Sequence, residues 1–474
     1  MNIIGRKSEQ QVLSDCVNSE KPEFLAVYGR RRVGKTFLIR EFFNNEFTFY
    51  ATGVNNVGMK EQLEYFNDSL LEYGSTETTP LKTWREAFLR LKQILLKPGI
   101  KTDPVSGKKI VFLDELPWMD TPKSGFRAAL DHFWNSFGST KNELVFIVCG
   151  SATSYIINNI LGDKGGFYNR ITQSIRLMPF SLKECEDFFE SNRISVNRHD
   201  VILSYMVFGG IPYYLGLFNR RLSVTQNIDT LLFEQNGKLY YEYDRLFSSL
   251  FRNPGKHLQI MKELSGKGIG MTRKEIIFHT KIPDGELLSR SLVELEQCGF
   301  IRKYRNYTKK GKEHYYQVVD PFVLFCNKVL KERKISSWVK YAGTPAYHAW
   351  CGNSFEIVCL NHIREIKQIL GISGIESTEY SWRSSSVSKG AQIDMLIDRS
   401  DNCINICEMK FTNQPYIIDV EYEKNLIHKT ECFREETKTD KSLHLTMICS
   451  AGLQHNAHSG IITNEIDADD LFIS

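Results

Sequence analysis

The run FLAVYGRRRVGKTFLIREFF, residues 24–43, constrains this chain more than any other stretch. An apolar strand runs into a glycine-bounded loop and then into a helix whose apolar positions recur at helical spacing, and the loop matches GxxxxGK[ST] from Gly29 to Thr36. In such a loop, successive backbone N–H groups and the helix N-terminus surround phosphate oxygens. Gly29, Arg30, Arg31, Arg32, Val33 and Gly34 form the cradle, Lys35 reaches the outer phosphates of ATP, and the Thr36 hydroxyl ligates Mg²⁺. The three arginines either add positive charge near phosphate or face solvent, because the cradle is made by backbone.

A chance glycine-lysine turn is the alternative, and a partner downstream argues against it. In KIVFLDELPW, residues 109–118, four apolar residues end in Asp114 and Glu115, the way a central strand delivers acids to the edge of a nucleotide pocket. Asp114 is expected to hold Mg²⁺ through water, and Glu115 to orient the attacking water as the catalytic residue; a solvated turn is the plain alternative. A third apolar strand, ELVFIVCGSAT, ends at Ser151 and Thr153, the place where related ATPases put a polar γ-phosphate sensor, a role that resemblance would give to Ser151.

With 474 residues the chain exceeds one ordinary core, so two to four domains are expected. The 42% apolar and 24% charged fractions are those of a soluble globular chain, and no stretch reaches the roughly 18–20 apolar residues of a membrane helix. The 11 cysteines are scattered without CxxC pairs, and the N-terminus lacks an apolar signal core, so a cytoplasmic location is expected. A net charge of +4 neither demands nor excludes nucleic acid, which leaves that question to local clusters.

The segments IIGRKSE, the phosphate loop, LDE, YNRI and FGGIPYYL occur in an order that resembles the AAA+/STAND-like P-loop ATPases of archaea and bacteria, over roughly the first 220 residues. The resemblance implies that Gly5, Arg6 and Pro212 flank the base and phosphates. It also implies that Arg170 senses or stabilises the γ-phosphate, from a neighbouring subunit of a homo-oligomer in one arrangement; a surface salt-bridge arginine is the alternative.

Further on, Thr272 and Glu275 are spaced as a capping box, a second helix carries Leu288, Leu292 and Leu295 on one face, and two strand-like runs follow, joined by TKKGK. Two helices and a hairpin make the layout of a winged helix-turn-helix. Its hairpin is basic, with Arg302, Lys303, Arg305, Lys309, Lys310 and Lys312, which suits DNA phosphates and equally suits a solvated tip or a protein-docking module.

In the last third, AWCGNSFEIVCLNHI reads as a helix bearing Glu356, and AQIDMLIDRSDNCINICEMKF as two strands joined by RSDN. Side chains alternate along a strand, so Glu408 and Lys410 share a face and meet Asp394 across the hairpin. Two converging carboxylates suit Mg²⁺ or Mn²⁺, and a lysine beside them suits a phosphate or an attacking water. This D…ExK pattern resembles the PD-(D/E)XK nuclease superfamily, which implies that Asp394 and Glu408 bind metal, that Lys410 assists catalysis and that Glu356 is the helix-borne acid. Gln392 stands where relatives commonly have an acid. An inactivated nuclease fold, its acids and lysine locked in a salt-bridge network, is the alternative.

The expected architecture is an α/β multidomain chain: a P-loop NTPase parallel sheet over 1–180, a helical lid over 181–250, a winged helix-turn-helix over 251–335 and a restriction-endonuclease-like α/β domain over 340–474. The expected activity is that of an ATPase that processes DNA with a metal-dependent nuclease domain, or of a nucleotide-switched regulator that keeps only the nuclease shape.

Overall fold

The computed structural model describes residues 3–162, 167, 169–251, 253–307, 314–330, 335–384 and 390–473. The chain divides into two compact units, Met1–Pro179 and Phe180–Ser474. The expected segments 181–250, 251–335 and 340–474 all lie within the second unit.

In the first unit, five strands, β1 (Glu23–Tyr28), β2 (Phe49–Thr52), β3 (Lys109–Asp114), β4 (Leu144–Gly150) and β5 (Gln173–Arg176), pair in the order β2-β3-β4-β1-β5, every pair parallel. The four interior residues of β1 and all seven of β4 are buried. Parallel strands covered on both faces require such unbroken apolar runs. The helices Met59–Glu72, Trp84–Leu95 and Phe126–Ser136 cover one face through a largely aromatic layer in which Trp84, Phe88, Phe126, Phe133 and Trp134 pack with Phe24, Phe49 and Phe146 of the sheet. Thr83 caps the middle helix by accepting from the Glu86 N–H. The rigid sheet thereby presents the loops after β1, β3 and β4 along one edge, where open α/β sheets bind ligands.

The second unit begins with helices, among them Leu182–Ser191, Arg198–Phe208, Pro212–Leu215 and Glu242–Leu250. Next come the helix Gly255–Ser265, β6 (Met271–Thr272), the helices Arg273–Thr280 and Glu286–Gln297, and the antiparallel strands β7 (Ile301–Arg305) and β8 (His314–Val318). These three strands pair in the order β6-β8-β7. The Thr272–Glu275 capping box is present, and Leu288, Leu292 and Leu295 are buried together. Lys309, Lys310 and Lys312 lie outside the described residues.

After the helix Pro345–Asn361 come β9 (Ser377–Arg383), β10 (Gln392–Arg399), β11 (Cys403–Lys410), β12 (Tyr416–Ile417), the helix Val420–Thr437, β13 (Ser442–Cys449), β14 (Leu453–Gln454) and β15 (Asn464–Asp467). A mixed sheet runs β15-β13-β11-β10-β9, with β9, β10 and β11 antiparallel and β11, β13 and β15 parallel. The β10–β9 register slips between Ile393 and Leu396, so Asp394 and Met395 oppose the single residue Ser381. Such a bulge re-aims side chains, and here it falls on Asp394. Among the described residues no helix is long and apolar enough to cross a membrane.

Candidate functional site

The phosphate loop is shaped by two left-handed glycines. Gly29 has φ 147°, and a Cβ there would stand 2.2 Å from the Leu177 carbonyl oxygen; Gly34, φ 94°, starts the helix Lys35–Phe42. The buried Lys35 ammonium donates to the carbonyls of Gly29, at 3.0 Å, and Arg30, at 2.9 Å. Thr36 Oγ1 donates to Asp114 Oδ2 at 2.8 Å, and the Glu115 N–H donates to Asp114 Oδ1 at 2.9 Å. Burial raises the Asp114 pKa, an effect the Thr36 hydrogen bond opposes. Thr36 and Asp114 thus present adjoining hard oxygens, the donor set Mg²⁺ takes beside a nucleotide.

Glu115 adopts a left-handed backbone, φ 45°, rare for a residue with a side chain. Its carboxylate accepts from the Ser151 hydroxyl at 2.7 Å and from the Ser151 N–H at 3.4 Å. The ends of β3 and β4 therefore meet through these two side chains. Beneath them lies a residue the sequence did not flag: Gly53, whose Cβ would come 2.4 Å from the Glu115 carbonyl oxygen.

Gly5 and Arg6, both left-handed at φ 61° and 56°, bring the N-terminal segment onto the loop, with Arg6 Nη2 3.5 Å from the Val33 carbonyl. The loop arginines divide. The Arg30 side chain is buried, which removes the solvent-facing alternative for it, while Arg31 and Arg32 are partly exposed. Arg170 is exposed and, among the described residues, pairs with no carboxylate, against the salt-bridge alternative. Pro212 belongs to the second unit, as the first residue of the short helix Pro212–Leu215.

Residues 4–218 match the family described as an ATPase domain predominantly from Archaea. The segment that matches carries the phosphate loop, Asp114 and Glu115. An uncharacterized protein of Methanocaldococcus jannaschii is 26% identical over 334 residues, 68% of this chain and 67% of that protein. An uncharacterized ATP-binding protein of the same organism is 44% identical over 44 residues, 9% of this chain and 75% of that protein. Among solved structures, a Walker-type ATPase of Pyrococcus abyssi is similar with a TM-score of 0.46 and 18% identity, covering 69% of this chain and 96% of that one. The ORC2 protein of Aeropyrum pernix is similar with a TM-score of 0.41 and 13% identity, covering 71% and 96%. The family match of the ATPase domain ends at residue 218, so the second candidate site lies outside it.

That site sits on β10 and β11. Their register pairs Met395 with Cys407; continued by one residue it brings Asp394 to Glu408, and by three Gln392 to Lys410. Glu356 faces them from the helix Pro345–Asn361. Burial, then the charges of Asp394 and Glu408, push the Glu356 pKa well above the usual carboxylate range; burial likewise raises Asp394, against the hydrogen bond Gln392 donates to Asp394 Oδ1 at 2.6 Å. Burial lowers the Lys410 pKa, and its ammonium stands 4.4 Å from the Tyr422 ring centre and 5.6 Å from that of Tyr416.

Two residues that sequence reading passed over complete the cluster. Lys429 Nζ donates to Glu408 Oε1 at 2.5 Å, and Tyr422 Oη donates to Oε2 at 2.9 Å. Both come from the helix Val420–Thr437, seven residues apart and hence on one face, a spacing that is the only trace of them in the sequence. In the inactivated-fold alternative Lys410 was to pair with the acids; the structure pairs Lys429 with Glu408.

Arg302, expected on a phosphate-facing wing, is turned inward. It donates to Gln317 Oε1 at 2.7 Å and to Ser381 Oγ at 3.0 Å and stacks 4.5 Å over Tyr304. Ser381 Oγ in turn donates to the Asp394 carbonyl at 2.6 Å. The physical reason is local: Asn306, just past β7, makes a single bridge to Ser381 of β9, which brings the end of β7 beside that strand. Lys303 and Arg305 remain exposed.

Proposed function

We propose that the chain is an ATP-binding and ATP-hydrolysing protein that processes DNA, and that residues 340–474 are a metal-dependent nuclease domain of the PD-(D/E)XK type behind a winged helix over 251–335. The observation that carries this reading is Asp394 facing Glu408 across the hairpin, with Lys410 on the same face and Glu356 beside them. Within the ATPase domain, Lys35 would hold the outer phosphates, Thr36 and Asp114 the Mg²⁺, and Glu115 the attacking water, with Gly5 and Arg6 flanking the nucleotide. Arg170, exposed as it is, would act across a homo-oligomer interface.

Asp394 and Glu408, with Glu356 beside them, offer the carboxylate oxygens that a hard divalent cation, Mg²⁺ or Mn²⁺, would take. Bound there, the ion would polarise the scissile phosphate. Lys410, its pKa lowered by burial, is suited to accept a proton from water, and Gln392 holds Asp394 in place. The exposed Lys303 and Arg305 would contact DNA phosphates. A cytoplasmic setting belongs to the same reading.

The deciding experiment incubates the full chain with linear, nicked and single-stranded DNA and with RNA, in Mg²⁺ or Mn²⁺, with and without ATP. Cleavage that disappears in Asp394→Asn but persists in Lys35→Ala supports the nuclease; a wild-type protein that cuts none of these substrates sinks it. The second reading, a nucleotide-switched regulator or scaffold with an inactive nuclease fold, is favoured by the Lys429–Glu408 ion pair, which already satisfies a carboxylate that a metal would need.

A further inference from the structure

Among the described residues, no three His, Cys, Asp or Glu side chains already form a metal-binding group. The oxygens of the acid cluster are instead held by side chains of this protein. Glu408 accepts from Lys429 and Tyr422, and Asp394 accepts from Gln392. Only one of these donors carries a charge. Lys429 Nζ reaches Glu408 Oε1 from the helix Val420–Thr437, and both side chains are largely buried, at 19% and 8% exposure.

Lys410 makes no such pair among the described residues and lies instead against two aromatic rings. The two lysines of the site therefore have separate tasks. A buried carboxylate beside another acid is costly without a positive partner, and Lys429 supplies that partner to Glu408.

We infer that Lys429 is a built-in monovalent counter-ion that occupies Glu408 Oε1 until a divalent metal ion takes that oxygen, so that metal and Lys429 compete for one ligand. This inference rests on the nuclease-type reading of the acid cluster. Metal entry requires the Lys429 ammonium to leave Oε1 and turn outward, where its long stem allows it to reach water. Tyr422 keeps its hydrogen bond to Oε2 and holds the carboxylate in orientation throughout. The competition sets a threshold: the site stays neutralised and closed to chemistry until divalent cation is abundant or until a ligand draws Lys429 away.

The test is direct Mn²⁺ binding by the full chain without nucleotide or nucleic acid, followed by electron paramagnetic resonance. It is carried out in an Asp114→Asn background so that the nucleotide-side ion does not contribute. Lys429→Met is expected to bind Mn²⁺ about tenfold or more tightly than the parent, because a positive charge next to the ion has been removed. Lys429→Gln, which still donates to Oε1 and so leaves Glu408 partnered, should show the same direction and guards against misfolding of the first variant. Glu408→Gln should abolish the binding in every background.

Mn²⁺ binding that Glu408→Gln removes, with affinity unchanged or weaker in both Lys429 variants, overturns the inference and leaves the metal-site reading standing. Absence of any Glu408-dependent binding in parent and variants overturns both.

Discussion

Ser151 grips Glu115 at two points: its hydroxyl donates to one carboxylate oxygen at 2.7 Å and its N–H approaches the other at 3.4 Å. The end of β4 thus fixes the orientation of the acid at the end of β3. Ser151→Ala is expected to lower the ATPase kcat about ten- to hundredfold with little change in KM, since the lost hydrogen bond orients a reacting group without binding the nucleotide. Glu115→Gln should cost about 10²–10⁴-fold in kcat and leave ATP binding intact. Steady-state hydrolysis beside equilibrium binding of labelled ATP measures both, and equal losses of binding and turnover in Ser151→Ala would contradict the assignment.

Gly53 supplies the second support. Its N–H donates to the Asp114 carbonyl at 2.9 Å, and a methyl group at its Cα would collide with the Glu115 carbonyl at 2.4 Å. The nearest neighbour is backbone, so the clash is relieved only by moving the turn that aims Glu115. Gly53→Ala should therefore reduce kcat by about a hundredfold while the Kd for ATP stays within about threefold, because Lys35 and the phosphate loop lie on a different strand connection. A wild-type turnover number would show that the turn tolerates the shift.

The residues that announce themselves in the sequence are those whose chemistry depends on neighbours close along the chain. Gly29 to Thr36 are contiguous, Asp114 and Glu115 follow directly on an apolar strand, and a three-residue turn from Ser400 to Asn402 suffices to set Asp394 against Glu408. Lys429 and Tyr422 were not legible, because a charged residue on a helix with many others reads as a solvated face, and only the parallel crossover from β11 to β13 lays that helix beside Glu408. Arg302 was misread for a related reason. Whether a residue on a short strand faces solvent or interior depends on what lies against its edge, and the bridge from Asn306 to Ser381 joins positions 75 residues apart.

Glu356 gives the site a pH signature. Burial and its acidic neighbours raise its pKa in the folded chain above its value in the unfolded chain, so the folded state binds the extra proton between the two values. Stability from this group is complete below the unfolded pKa and is lost as pH rises through the raised folded pKa. Without divalent metal, Glu356→Gln should therefore melt at a higher temperature than wild type at pH 8, and the difference should shrink toward zero as pH is lowered to the ordinary carboxylate range. Thermal unfolding in EDTA across that interval measures it. A constant difference at all pH values would mean that Glu356 titrates alike in both states.

Arg302 ties the β6-β8-β7 sheet to the bulge that carries Asp394. Its guanidinium serves Gln317 and Ser381 together, and Ser381 passes the constraint to the Asp394 carbonyl. Gln317 in turn donates to the Gly268 carbonyl at 2.6 Å, and Gly268 lies against Glu356, whose Oε2 would be 3.8 Å from a Cβ there. One buried arginine thereby steadies both the strand-borne and the helix-borne acid. Arg302→Met keeps the stem packed over Tyr304 but strands two buried polar partners, at a cost of about 2–3 kcal/mol in urea unfolding. Arg302→Lys should recover at most part of this, because a single ammonium does not span two acceptors held by a planar fork. If Arg302 were a DNA-contacting wing residue instead, both variants would unfold like wild type and weaken DNA binding in a salt-dependent way.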